Sequence, residues 1–247
     1  MLTTPFTELV GCTVPIQQAG MGPIANPRLA AAVTNAGGLG QISIGSGSPD
    51  WIARTFAEAR ALTKGPLGAN VLLPTTEPED VERVAAAAKH ARVVDFFWGD
   101  PEPKLVEIVH AAGALASWQV GSLEEGVAAE RAGCDFIIAQ GIEAGGHVRG
   151  LIGLLALLDQ VLGAVRVPVL AAGGSGSGRA LAAALAAGAA GVRVGTRFVA
   201  SPEADAHPIY VQALIAAQPE DTVYTTAFSN GWPDAPHRVL RASVEAA

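Results

Sequence analysis

The chain has only two cysteines, Cys12 and Cys134, in 247 residues. They are far apart and outside any metal-ligand spacing, so both are expected to be buried as small apolar side chains in a reducing cytosol. Charge is scarce too. Only 16% of residues are charged, and 16 basic against 23 acidic residues leave a net charge of −7. That balance argues against nucleic acid, whose binding rests on Lys and Arg contacts to phosphate. Apolar runs are broken by Gly, Pro, Gln or a charge before they reach the length of a membrane span. The N-terminal stretch MLTTPFTELVGCTVP lacks the basic-then-apolar order of a signal peptide. A cytoplasmic protein without membrane or nucleic-acid partners is expected. A dinucleotide fingerprint is missing as well, because Gly20-Met21-Gly22-Pro23 does not have the G-x-G-x-x-G spacing.

Half of the residues are apolar and 29 are glycine, which fits a large core with many tight turns. Short apolar runs at 15–19, 40–44, 67–72, 93–97, 114–118, 135–140, 168–172 and 191–195 read as strands. Helical patterns lie between and after them, near 27–37, 50–64, 78–91, 101–112, 122–132, 152–164, 177–188 and 202–217. Asn26-Pro27, Pro49-Asp50, and Ser122 followed by Glu124 and Glu125 are helix-start signals. Gly37, Gly113, Gly133 and Gly188 suit the positions that end helices. Strict alternation of strand and helix implies a parallel sheet with helical crossovers. An open doubly wound sheet would satisfy the alternation, but the count of eight favours closure. The expected fold is a single-domain (β/α)8 TIM barrel over 1–247, with 218–247 as a C-terminal tail packed on the barrel.

In such barrels the working residues gather at the C-terminal ends of the strands. Two glycine turns stand there: Gly173-Gly174-Ser175 after the seventh strand, and Val194-Gly195-Thr196-Arg197 after the eighth. Glycine lets backbone N–H groups approach an anion, and a following helix N-terminus adds a favourable field. Either turn alone could be a plain connection; together, on these two strands, they point to a phosphate. Gln140-Gly141-Ile142-Glu143-Ala144-Gly145-Gly146-His147 follows the sixth strand. His147 is the candidate proton acceptor, since imidazole exchanges a proton near neutral pH. Glu143 is expected to orient the loop, while His90, His110 and His237 read as ordinary surface or core histidines. In the eighth strand, Arg193 shares a face with Gly195. Gly195 should face the barrel mouth, so Arg193 should point inward and need an acceptor. Asp95 is the leading candidate, with Gln140 and Glu143 the other acceptors and an outward, solvated Arg193 the competing arrangement.

PIQQAGMG, NAGGLG (35–40), GAN (68–70), AQGIEAGGH (139–147), AAGG (171–174) and VGTRF (194–198) together resemble the nitronate monooxygenases, once called 2-nitropropane dioxygenases. That group shares its barrel with FMN-dependent enoyl-acyl-carrier-protein reductases. The resemblance implies non-covalent FMN and oxidation of alkyl nitronates or nitroalkanes with O2. Carried over by position, Gly173, Gly174, Gly195 and Thr196, with Val194 beside them, hold the phosphate. Met21, Asn70, Gln140 and Gly145, with Gln119 at the mouth, flank the rest of the flavin. His147 matches the base that takes the α-proton of a neutral nitroalkane, a step a nitronate does not need. Many relatives carry a basic or histidine residue near Phe97-Trp98 or at Gln119, which this chain lacks. It is also shorter between Leu73 and Val93 and after His147, which leaves the flavin more exposed or covered by the second subunit of a homodimer. The same motifs permit reduction of an enoyl thioester with NAD(P)H, or a flavin-binding barrel without catalysis. Gln140, where the reductases more often have Glu, favours the nitronate reaction.

Overall fold

The computed structural model describes residues 2–73, 78–228, 232 and 234–246. Its strands are β1 (Ile16–Gln18), β2 (Gly40–Ser43), β3 (Leu67–Leu72), β4 (Val93–Phe97), β5 (Leu115–Val120), β6 (Phe136–Gln140), β7 (Gly146–His147), β8 (Val169–Ala172), β9 (Gly191–Val194), β10 (Thr222–Thr225) and β11 (His237–Leu240). Eight of them form one parallel sheet in the order β1-β9-β8-β6-β5-β4-β3-β2. Its two ends meet where the Gln18 N–H donates to the Leu39 carbonyl and the Leu39 N–H to the Ile16 carbonyl, both at 2.9 Å. With helices alternating outside, this is a (β/α)8 TIM barrel. The shortening expected after Leu73 begins in 74–77, which lie outside the described residues.

Local signals account for most boundaries. The Asn26 side chain accepts from the Leu29 N–H at 3.0 Å, and Ser122 from Glu125 at 3.2 Å; caps of this kind are worth about 1 kcal/mol each. Gly37, Gly113, Gly133 and Gly188 all have positive φ, as helix-ending glycines do. Two expectations need correction, and one element was missed. The fifth strand runs on to Val120, which puts Gln119 within it. The helix expected over 202–217 splits into a 3-10 turn at Pro202–Ala204 and a helix at Pro208–Ala216, because a proline disfavours helical geometry in the residue before it. An N-terminal helix, Pro5–Val10, was not anticipated, as six residues are too few for a periodic pattern. A capping box between Thr4 and Thr7 starts it. Its Phe6 plugs the lower end of the barrel with Leu39, Val93, Phe136 and Leu170, meeting Phe136 edge-on at 5.4 Å between ring centroids.

The register carries one face around the inside of the barrel. Ser43, Asn70, Asp95 and Ser117 are successive partners across β2 to β5, and Gln140, Ala172, Arg193 and Gln17 across β6, β8, β9 and β1. Above the apolar plug this inner face turns polar. Arg193 Nη1 lies 2.5 Å from Asp95 Oδ2, and both side chains are sealed from solvent. Asp95 also accepts from Asn70 Nδ2 at 2.8 Å and from Ser117 Oγ at 3.3 Å. Arg193 thus points inward to Asp95, as strand alternation required. Removing one member of a buried pair leaves the other as an uncompensated charge. Asp95→Ala should therefore lower the unfolding free energy by about 3–5 kcal/mol in urea titration; a loss below about 1 kcal/mol, the scale of an ordinary hydrogen bond, would contradict this account of the interior.

Candidate active site

Two glycine turns meet one loop at the C-terminal mouth. Gly173 and Gly174 take φ of 123° and 61°, conformations that side chains rarely adopt. Among the described residues, the N–H groups of Gly174 and Ser175 have no protein acceptor. Consecutive free N–H groups in such a turn make a concave anion site. Gly195 leads into Thr196, and Met21 lies beside it: a Cβ on Gly195 would stand 3.7 Å from Met21 Sδ. The loop after β6 approaches both turns. Added Cβ atoms on Gly145 and Gly173 would fall 2.6 Å from Thr196 Oγ1 and 3.3 Å from Glu143 Cγ. Gly145, Gly174 and Thr196 remain exposed, so this cradle is open and fits a phosphate group.

The loop is fixed from three sides. Gln140 Nε2 donates to the His147 carbonyl at 2.8 Å, and the Arg149 N–H donates to Gln140 Oε1 at 3.3 Å. Both ends of this amide are thereby committed to backbone. Both carboxylate oxygens of Glu143 accept from the Leu154 N–H at 3.1 Å, the orienting role expected of it. Arg238 donates through Nε and Nη2 to the Ile142 carbonyl at 3.2 and 3.1 Å. The tail residue thus ties β11 to the loop.

His147 sits in an aromatic cluster that was only partly legible. Its ring centroid lies 3.4 Å from that of His237, 3.7 Å from that of Trp232 and 5.4 Å from that of Trp98. His237, read from the sequence as ordinary, is the register partner of His147 in a small antiparallel sheet, β10-β11-β7. Nδ1 of each histidine is buried without a hydrogen-bond partner among the described residues. Burial, and then the neighbouring His237, push the His147 imidazole down to about 4, against a smaller upward effect of the Ala235 backbone. His147 is therefore neutral at physiological pH. Trp98 holds a φ of 85°, strain of about 1–3 kcal/mol that surrounding contacts must offset. The β-branched and aromatic run Thr222-Val223-Tyr224-Thr225 was the available signal for a strand here, while His237-Arg238-Val239-Leu240 has no alternation to mark its partner.

The other candidates are not gathered equally. Asn70 is nearly sealed beneath the mouth, with its oxygen against Gly20, and Gln119 is buried on the inner face of β5. Val194 does not reach the mouth: its side chain belongs to the core between sheet and helices, and its carbonyl accepts from Ala19 at 2.8 Å. It touches the cradle only as the neighbour of Gly195. Cys12 and Cys134 are free and buried, and no helix among the described residues is long and apolar enough to cross a membrane.

Known proteins resemble this chain in sequence and fold. A carboxyl-CoA dehydrogenase of Mycobacterium tuberculosis, named for a 5-hydroxy-7a-methyl-1-oxo-octahydro-1H-indene-4-carboxyl-CoA, is 36% identical over 98% of this chain and 67% of its own length. The structure of FabK from Thermotoga maritima superposes with a TM-score of 0.90 at 39% identity, over 98% of this chain and 75% of that one. A nitroalkane oxidase from Streptomyces ansochromogenes superposes at 0.82 with 35% identity, over 96% and 79%. The nitronate monooxygenase family matches residues 3–245. The chain is an enzyme belonging to the nitronate monooxygenase family of oxidoreductases.

Proposed function

We propose that this chain binds FMN, with the phosphate between the Gly173-Gly174 and Gly195-Thr196 turns, and oxidises alkyl nitronates with O2. The observation that carries this reading is the convergence of the free N–H groups of Gly174 and Ser175 with the His147 loop at one barrel mouth. When bound, the flavin would supply the electron acceptor and the reaction with O2. The chain's own part is to orient and to handle protons. Gln140 and Glu143 fix the loop, and the loop presents His147 at the mouth. A neutral imidazole can accept a proton without first losing one. With its basicity pushed down to about 4, however, it is poorly matched to a weak carbon acid. That favours the nitronate, which is already deprotonated, over the neutral nitroalkane. A second reading, redox chemistry on an acyl thioester with NAD(P)H, is favoured by the carboxyl-CoA dehydrogenase among the relatives.

The cradle is tested by Gly174→Leu. A Cβ there meets only Glu143 Cγ, at 3.8 Å, so the fold should survive at the cost of about 1–2 kcal/mol for a left-handed leucine. The side chain would occupy the anion position, and the folded variant should purify without flavin. Full flavin retention would refute this placement.

His147→Ala should lose no more than about 10²-fold in turnover of freshly dissolved neutral nitroalkane, the low end of a general base's worth because its basicity is poorly matched, and keep most of its rate on pre-formed nitronate. Equal losses on both would show that His147 binds the nitro group or positions the flavin instead. The wild-type nitroalkane rate should also rise with pH through about 4, as the base loses its proton, and be level near neutrality. A rise centred at the ordinary histidine value of about 6.5 would contradict the buried, paired environment.

A further inference from the structure

The buried ion pair has a consequence for the mouth above it, through Asn70. Asp95 Oδ2 receives Arg193 Nη1 at 2.5 Å and Asn70 Nδ2 at 2.8 Å, while Oδ1 receives Ser117 Oγ at 3.3 Å. A carboxylate paired with a guanidinium only accepts, so the NH2 end of Asn70 has to face it. Chemistry therefore settles which way this amide points. The other end, Oδ1, is turned toward the Gly20-Met21 turn. A Cβ on Gly20 would fall 2.0 Å from this oxygen, so only glycine lets the backbone pass there. Among the described residues, Asn70 Oδ1 receives only Ser43 Oγ, at the long distance of 3.5 Å.

We propose that Asp95, anchored by Arg193, is a positioning residue for the cofactor: it clamps the NH2 of Asn70, so that Asn70 offers its ligand an acceptor alone and the flavin meets it with an N–H or O–H. This rests on the FMN reading above. Both halves of the clamp are sealed from solvent, with Asp95 at 0% and Arg193 at 4% exposure, so water cannot substitute for either.

The test is a double-mutant cycle read by FMN affinity, from quenching of free FMN fluorescence on titration with apoprotein. Asp95→Asn with Arg193→Met removes both charges together, which avoids stranding one. It also leaves an amide that can turn either end to Asn70. This change should weaken FMN binding about five- to tenfold, the worth of one positioned hydrogen bond. In the Asn70→Ala background the same change should have almost no effect, because the clamp has nothing left to hold. Equal weakening in both backgrounds would overturn the proposal while leaving the FMN reading intact. Failure of the wild-type protein to bind FMN would overturn both. Should the paired variant not fold, the wild-type apoprotein decides by NMR. The Asn70 carboxamide protons should exchange much more slowly than those of a free asparagine, and equally fast exchange would overturn the clamp.

Discussion

The Arg193–Asp95 pair is the interaction on which the interior of this barrel is organised. Barrel interiors are usually filled by branched apolar side chains in layers, and the lower end here follows that rule through Phe6, Leu39, Val93, Phe136 and Leu170. One level up, the same inward face carries Gln17, Asn70, Asp95, Ser117 and Arg193, all buried. As a source of stability this is a poor bargain, since an apolar replacement for a buried ion pair is often neutral or better. What the pair does provide is direction. It fixes Asp95, Asp95 fixes the Asn70 amide, and Asn70 lies under the turn that adjoins Gly195.

The two halves of the mouth are built by different means. The cradle is backbone: positive φ at Gly173 and Gly174, and close approach at Gly145 and Gly195. The His147 side is side-chain work. Gln140, Glu143 and Arg238 hold the loop at separate points, and β11 adds a strand to it. Burial among rings, and then the neighbouring His237, keep the His147 imidazole neutral. Under the proposed reaction the chain thus provides a fixed, neutral environment around an already charged substrate, and leaves the electron chemistry to the cofactor.

The barrel was legible because each strand-and-helix unit is bounded by local signals, such as Asn26-Pro27, Ser122 and the helix-ending glycines. The inward Arg193 followed from two facts available without coordinates: strands alternate faces, and a buried cation needs an acceptor. Asp95 was the one acidic residue well inside a strand. What escaped was short or distant in sequence. The helix Pro5–Val10 is too brief to show a period. The histidine pair depends on a contact between β7 and β11, 90 positions apart by the numbers of His147 and His237, and no local pattern records it. Val194 was carried along with its motif although alternation turns its side chain outward, the same rule that placed Arg193 correctly.

The claim at the centre is that this mouth holds a flavin and uses it to oxidise nitronates. The absorption spectrum of the purified protein, followed without oxygen, tests it directly. The account predicts a flavin spectrum that bleaches on adding an alkyl nitronate, does not bleach on adding NADH, and returns when air is admitted. A protein without flavin absorbance after FMN is supplied, or one bleached by NADH and untouched by nitronate, would contradict it.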